Sequence, residues 1–142
     1  MLYTFDPKEV SIIFGEFILR GFSESKVSVS RSNPAWELVV GADGEATRVK
    51  SNDRSGTVTV TLQQSSPSND DLSTVALVDE LSNAGLRPLY IKDNLGTSLF
   101  TAVSAYVEQI PEASYGKTQS DRVWTIRTDN LIAFLGGNAV SA

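Results

Sequence analysis

The sequence contains no cysteine and no histidine. Without cysteine there are no disulfide bonds, thiolate metal ligands or thiol nucleophiles, so packing and hydrogen bonds must hold the fold. Without histidine, the commonest general base and metal ligand at neutral pH is missing, and only carboxylates, hydroxyls, Lys and Tyr remain for catalysis. These two absences predict a protein that is not an enzyme and that has no metal or cofactor.

Long hydrophobic runs are also missing. No window approaches the roughly 18 apolar residues that a membrane-spanning helix needs, and residues 1–8 lack the basic and apolar regions of a signal peptide. We therefore expect the chain to fold in the cytoplasm and not to insert into a membrane. A length of 142 residues with 41% hydrophobic content is ordinary for one globular unit, so we expect a single domain over residues 1–142.

Basic residues are outnumbered, and the net charge is −5. This balance disfavours a conventional nucleic-acid binder, because such proteins neutralise phosphates with Lys and Arg. The same repulsion would suit a conduit through which DNA slides without sticking. Residues 57–142 carry nine acids and five bases, whereas residues 41–56 carry three of each. The excess acid therefore lies in the C-terminal part, and 41–56 is a balanced charged stretch.

Alternating apolar and polar residues, the pattern typical of β-strands, are abundant. Residues 57–64 show it most clearly, because Val58, Val60 and Leu62 alternate with Thr and Gln, which predicts one buried and one solvent-facing side. We expect a hairpin of 10–14 with 17–19, a strand pair of 27–31 with 36–40, and a hairpin of 88–92 with 97–109. Further strands are predicted at 123–127 and 131–135.

One helix is predicted at about 69–84. Ser68 or Asn69 offers an N-cap, Asp70 and Asp71 suit the positive helix end, and Gly85 can close the helix. Its apolar residues spread around the circumference, which indicates either a helix deep against its own sheet or one that also touches a neighbouring subunit. The predicted fold class is mainly β and antiparallel, sandwich-like or barrel-like, with one flanking α-helix.

Three segments resemble parts of known chemical sites, but none has the full pattern that such a site requires. Gly116-Lys117-Thr118 resembles the end of a phosphate-binding loop, but position 111 is Pro where that loop needs Gly, and strand-like residues follow instead of a helix. The acids of 41–56 lack the spacing of an EF-hand. Asp70 and Asp71 are explained by the helix dipole.

The aromatic residues give no binding platform either. They lie in strand patterns without surrounding Lys or Arg, so core positions are favoured over base stacking. The residues concerned are Trp36, Phe100, Tyr106 and Trp124.

The charged stretch Gly41 to Gly56, followed at once by strand 57–64 and Ser65-Ser66-Pro67-Ser68-Asn69-Asp70, resembles the small tail tube proteins of contractile-tailed bacteriophages. The similarity extends from Asp6-Pro7-Lys8 to Gly136-Gly137-Asn138. It implies two packed antiparallel sheets, a flanking helix, and rings of six subunits whose joined sheets form an inner barrel. Stacked rings would make a tube through which DNA passes without specific binding.

The resemblance also implies partners and a location. The partners would be other copies of the chain, the tail sheath, the baseplate and the tail terminator, in a virion tail assembled in the host cytoplasm. Residues 41–56 would form a loop that reaches an adjacent subunit or ring, where balanced charges suit a polar interface. The interface candidates are Asp43, Glu45, Arg48, Lys50, Asp53 and Arg54. The channel wall is expected to be neutral to acidic, with 57–64 and 97–109 as candidate strands.

Other interpretations remain open at this point. The loop 41–56 is alternatively a solvent-exposed hairpin without a partner. The whole chain is alternatively a β-sandwich binding module of a virion or cell surface that does not polymerise. A hydrolase using carboxylates would need an acid pair in a cleft, which the sequence does not reveal. Polymerisation of the purified chain separates the first two functions.

Overall fold

The computed structural model describes residues 1–138 and 140. Within these residues, 49% of the chain is strand and 13% is helix, in two antiparallel sheets and one α-helix. The predicted mainly-β antiparallel fold class is confirmed. The strands are β1 Val10–Phe14, β2 Phe17–Ile18, β3 Phe22–Arg31, β4 Trp36–Val40, β5 Ala46–Lys50, β6 Gly56–Leu62, β7 Arg87–Asp93, β8 Leu99–Gln109, β9 Arg122–Thr128 and β10 Ile132–Phe134, and the helix is α1 Ser68–Ser82.

The larger sheet has the strand order β2-β1-β7-β8-β9-β6-β3, and β10 pairs with the first residues of β8. Its two end strands, β2 and β3, are joined by residues 19–21 alone, so the ends of the sheet must lie close together. Lys26 on β3 also reaches the start of β1, the neighbour of β2, because its Nζ donates to the carbonyl oxygens of Pro7 and Val10 at 2.5 and 2.7 Å. The sheet therefore curls into a nearly closed barrel.

The core fills this barrel. Val58, Val60 and Leu62 are 0% exposed, which confirms the predicted buried side of β6. Trp124 and Ile126 on the neighbouring strand β9 are equally buried, as their alternation predicts. The same cluster holds side chains from β1, β7, β8 and α1, namely Ile12, Phe14, Leu72, Val75, Leu89, Ile91, Ala102 and Ala105.

The predicted caps of the helix are wrong. Pro67 occupies the N-cap position without a side-chain hydrogen bond, because Ser68 and Asn69 use their side chains in tertiary contacts. Ser68 Oγ accepts from the Arg20 N–H at 2.8 Å, and Asn69 Oδ1 accepts from Trp124 Nε1 at 2.9 Å. The helix ends at Asn83, which adopts φ 59°, and not at Gly85. Sequence patterns identify capping residues by type but not by their competing tertiary partners.

The helix lies against β2 and β8 and buries one side only. Leu72, Val75 and Ala76 are buried, whereas Leu77 is 52% exposed and Leu81 is 87% exposed. The apolar residues thus do spread around the helix, as predicted, but its outer side is not covered by the rest of this chain. The helix thus packs against its own sheet through one side, and contact of its outer side with a neighbouring subunit stays a prediction.

The predicted pairing of 27–31 with 36–40 is also wrong. β3 pairs with β6, and β4 pairs with β5, which lies inside the stretch expected to be a loop. The strand forms there because Thr47 and Val49 alternate with charged residues, a pattern that six charges in sixteen residues obscure. Every residue of β4 and β5 is exposed, so this smaller sheet stands out from the barrel instead of covering it.

Candidate subunit-interface surfaces

The hairpin of β4 and β5, residues 36–50, is here called the arm. Its register sets Trp36, Leu38 and Val40 on one side together with Arg48 and Lys50. Trp36 was expected in the core, yet it is 44% exposed and stacks under the Arg48 guanidinium, 3.8 Å from the ring centroid. A two-stranded hairpin is marginally stable by itself in water. The apolar side chains exposed on this hairpin make it a candidate surface for contact with another chain.

The second side of the arm is partly apolar as well. Val39 is 48% exposed and Val49 is 46% exposed, on the side opposite Leu38. Sequence reasoning missed both sides of this surface because 36–40 was taken for a core strand. The signal that reveals it is structural, since β4 finds its partner in a charged segment instead of in the barrel.

The six predicted interface residues do not form one patch. Asp43 and Glu45 sit at the tip turn of the arm, where Asp43 Oδ1 accepts from the Glu45 N–H at 3.3 Å. Arg48 and Lys50 lie on β5. The remaining two lie at the base of the arm, where the Arg54 carbonyl accepts from the Leu131 N–H at 2.8 Å. The structure thus distributes the candidates over the arm and the segment that follows it, and their role at an interface stays a prediction.

Asp53 has a local role at the base. Its carboxylate accepts hydrogen bonds from the Ser55 N–H at 3.0 Å and from Asn33 Nδ2 at 2.5 Å. Hydrogen bonds from Ser55 first, and then from Asn33, hold the pKa of Asp53 below its usual value. The acid is therefore charged at neutral pH and fixes the turn between the arm and β6. An open groove of about 520 Å³ beside it is lined by Asn33, Pro34, Trp36, Glu37, Val49, Lys50 and Ser51.

A second surface covers the outside of the barrel, on the side of β6 away from the core. The strand registers place Ser28, Thr59, Thr125 and Gln109 in one row across β3, β6, β9 and β8, and Ser30, Thr57, Arg127 and Tyr106 in the next. We call these eight positions the hydroxyl face. Five of them are Ser or Thr, and Arg127 is the one charged member.

Arg127 has a carboxylate partner next to this face. Its Nη1 lies 3.2 Å from Glu108 Oε1, and the two side chains are 38% and 40% exposed. The register of β8 shifts between Val107 and Gln109, so Glu108 is the extra residue of an irregularity in the strand. The ion pair leaves the hydroxyl face without net charge.

A third surface lies near the chain termini, and it is exposed and apolar. Leu2 and Phe5 are 71% and 60% exposed, and Phe134 and Leu135 are 61% and 82% exposed. The two segments meet at an isolated antiparallel bridge between Tyr3 and Val140. Sequence reasoning assigned no role to these residues. Together with the arm and α1, they give the chain more exposed large apolar side chains than a monomer needs.

The described residues contain neither a metal-binding cluster nor a helix that could span a membrane. Among them, no cluster of three or more Asp or Glu side chains is arranged to hold a metal ion. The helix found in residues 68–82 is too short and too polar to cross a bilayer.

Comparison with known proteins identifies the family. Residues 15–136 match the family described as the bacteriophage PhiTE tail tube protein. Structural protein ORF10 of Pseudomonas phage KPP10 is 35% identical, in a match that covers 95% of this chain and 83% of that protein.

Solved structures support the fold. The tube-terminating cap of the anti-feeding prophage matches 94% of this chain and 93% of its own at a TM-score of 0.66 and 10% identity. A chain of the sheath–tube complex of the extracellular contractile injection system PVC matches 93% and 92% at a TM-score of 0.65 and 13% identity. The resemblance read from residues 41–70 is confirmed, because the family match spans most of the chain: this protein belongs to the phage tail tube family typified by the bacteriophage PhiTE protein.

Proposed function

We propose that the chain is a non-enzymatic tail tube subunit that polymerises through its arm into stacked rings and conducts DNA. The observation that carries this proposal is the arm itself, whose ten strand residues are all exposed although both of its sides carry apolar side chains. A second copy of the chain is the cover that membership of a tube family supports. The six charged candidates along the arm would set the register of that contact.

Ring formation follows from the sheet edges. Over the described residues, β3 pairs with β6 on one side only, which leaves the other edge of a ten-residue strand open. Open edges of this length invite pairing with another chain, and a closed ring removes them. Six subunits per ring is the number that the family resemblance implies. Contacts between successive rings would then be heterologous, and heterologous contacts of this kind build an open-ended tube.

The hydroxyl face is the surface best suited to line the channel. It carries five Ser or Thr side chains and one neutralised charge, so it offers passing phosphates no net attraction. A wall rich in Lys or Arg would instead bind DNA with a strongly salt-dependent affinity and slow its passage. The overall charge of −5 supports the same role.

The outer side of α1 would then face away from the channel. It exposes Leu77 and Leu81, and the helix contains four acids and no base. A surrounding sheath subunit with a basic, partly apolar segment would complement this surface. Structural neighbours from a sheath–tube complex and a sheath/tube terminator support sheath and terminator partners and a contractile tail. The baseplate is the expected nucleation site, in a virion tail assembled in host cytoplasm.

Negative-stain electron microscopy of the purified chain tests this function. We expect rings or tubes for the wild type and their loss for Leu38→Glu, which charges the exposed side of the arm. Leu81→Glu is the matched control, because it makes the same change at another exposed leucine and should leave tubes intact. A chain that stays monomeric at high concentration would favour the alternative, a non-polymerising binding module.

A further inference from the structure

We propose that Glu108 masks Arg127 from DNA, so that the channel wall stays non-adhesive. This inference rests on the proposed tube function and on the hydroxyl face as its inner wall. It concerns one ion pair, Arg127 Nη1 to Glu108 Oε1 at 3.2 Å. It assigns the pair a part in DNA passage and not in folding.

The position of Arg127 makes it the group that a phosphate would meet. It lies on β9 between Thr57 of β6 and Tyr106 of β8, in the second row of the hydroxyl face. Arg is the strongest phosphate-binding side chain, because its planar guanidinium donates two parallel hydrogen bonds to phosphate oxygens. Asp53 interacts with the guanidinium electrostatically without a salt-bridge contact, so Glu108 is the acid in direct contact with it. Without Glu108, each subunit would present a guanidinium without a direct carboxylate partner on this surface.

Glu108 removes that charge at close range. Both side chains are more than one-third exposed, so the pair contributes little to stability. The exposed pair is open to water and to DNA, however. There the carboxylate engages one nitrogen of the guanidinium and repels an approaching phosphate. The local irregularity of β8 places Glu108 as an additional residue beside Arg127. A surface pair with small energetic value is thus better explained by what it prevents.

Repetition around a ring amplifies the effect. If six subunits line the channel, loss of Glu108 uncovers about six arginines around one DNA segment. When binding depends on about six phosphate contacts, raising the salt from about 50 to about 200 mM lowers DNA affinity roughly a thousandfold. The expected signature is therefore strong retention of DNA at low salt that disappears at higher salt.

The test assembles tubes in the presence of a fluorescent double-stranded DNA of about 20 base pairs, pellets them and measures retained DNA against salt. Glu108→Gln keeps the shape of the side chain and removes its charge. We expect at least about tenfold more retained DNA than wild type at about 50 mM salt, and wild-type retention at about 200 mM. The double variant Glu108→Gln with Arg127→Gln should return to the wild-type level at both.

Two controls separate the possible failures. Glu80→Gln removes one exposed acid from α1 and should change nothing, so an equal effect would show that net charge alone acts. Thr59→Lys adds a cation to the centre of the hydroxyl face and should retain DNA even if Glu108→Gln does not assemble. Retention by Thr59→Lys but not by assembled Glu108→Gln overturns the mask. Tubes of Thr59→Lys without retention overturn the hydroxyl face as wall, while electron microscopy of the wild type tests tube formation separately.

Discussion

Exchanging Val and Thr at two adjacent positions of β6 tests the account of the barrel. Val60 is 0% exposed between Val27 and Trp124, whereas Thr59 points to the opposite side in the hydroxyl face. Val60→Thr and Thr59→Val make the same isosteric exchange in opposite directions. A hydroxyl placed in the core without a partner costs about 1–3 kcal/mol, and Thr59→Val should stay within about 0.5 kcal/mol of wild type.

A charged pair of variants enlarges the contrast. Val60→Asp forfeits about 1.5–3 kcal/mol of apolar burial and adds the cost of burying a polar group, about 3–6 kcal/mol together. That is a large share of the roughly 5–15 kcal/mol by which proteins are stable. Thr59→Asp should lose at most about 1 kcal/mol, because its side chain stays solvated and only strand propensity is reduced.

Urea unfolding of the unassembled chain, followed by tryptophan fluorescence, measures these free energies. Trp124 is 2% exposed in the core and reports the barrel, whereas the more exposed Trp36 reports the arm. With a slope near 1–3 kcal/mol/M, a loss of about 2 kcal/mol lowers the midpoint by about 1 M. Equal midpoint shifts at positions 59 and 60 would refute the assignment of the two sides of β6 and with it the hydroxyl face.

Three further predictions address the arm and the helix. Reversal of Arg48, Lys50 and Arg54 to Glu should abolish tubes in electron micrographs while the free energy of unfolding in urea stays within about 0.5 kcal/mol of wild type; normal tubes would exclude these charges as the stacking contact. Asn83→Ala should cost about 1 kcal/mol because φ 59° disfavours Ala, and Asn83→Gly should cost only a few tenths; equal losses in urea titrations would contradict this account of the helix end. Leu81→Glu should leave tubes intact and weaken co-sedimentation with purified sheath protein, and undiminished co-sedimentation would argue against the outer side of α1 as the sheath contact.

The barrel could be predicted from sequence because its strands obey a single rule. In β6 the buried side carries Val58, Val60 and Leu62, and in the centre of β9 it carries Trp124 and Ile126, so the alternation indicates both the strand and its orientation. The hairpin of β1 and β2 and that of β7 and β8 are joined by short turns, which makes neighbours in sequence neighbours in space. These predictions depend on local chemistry that the chain carries itself.

The arm could not be predicted for the opposite reason. β4 resembles a core strand because four of its five residues are apolar, yet all five are exposed. Under the proposed function this strand is covered by another subunit, and a single sequence does not distinguish burial within a chain from burial between chains. The strand β5 was not predicted because its charged residues favour a loop. Sequence thus located the unusual region, 41–56, but misassigned its structure.

The predicted N-cap of the helix was wrong because tertiary contacts compete for the capping side chains. Ser68 and Asn69 are good capping residues, but their side chains accept tertiary hydrogen bonds from Arg20 and Trp124 instead. Likewise, the pairing of Arg127 with Glu108 joins residues 19 positions apart through the register of β8 and β9. No periodicity in the sequence reveals that register.

A helical reconstruction of the polymerised chain by cryo-electron microscopy would show the subunit contacts and the channel wall together. We predict stacked rings in which the arm, residues 36–50, lies on another subunit and buries Leu38, while Thr59 and Thr125 face the channel. Rings whose arms remain free in solvent, or a channel lined by α1 instead of the hydroxyl face, would contradict this prediction.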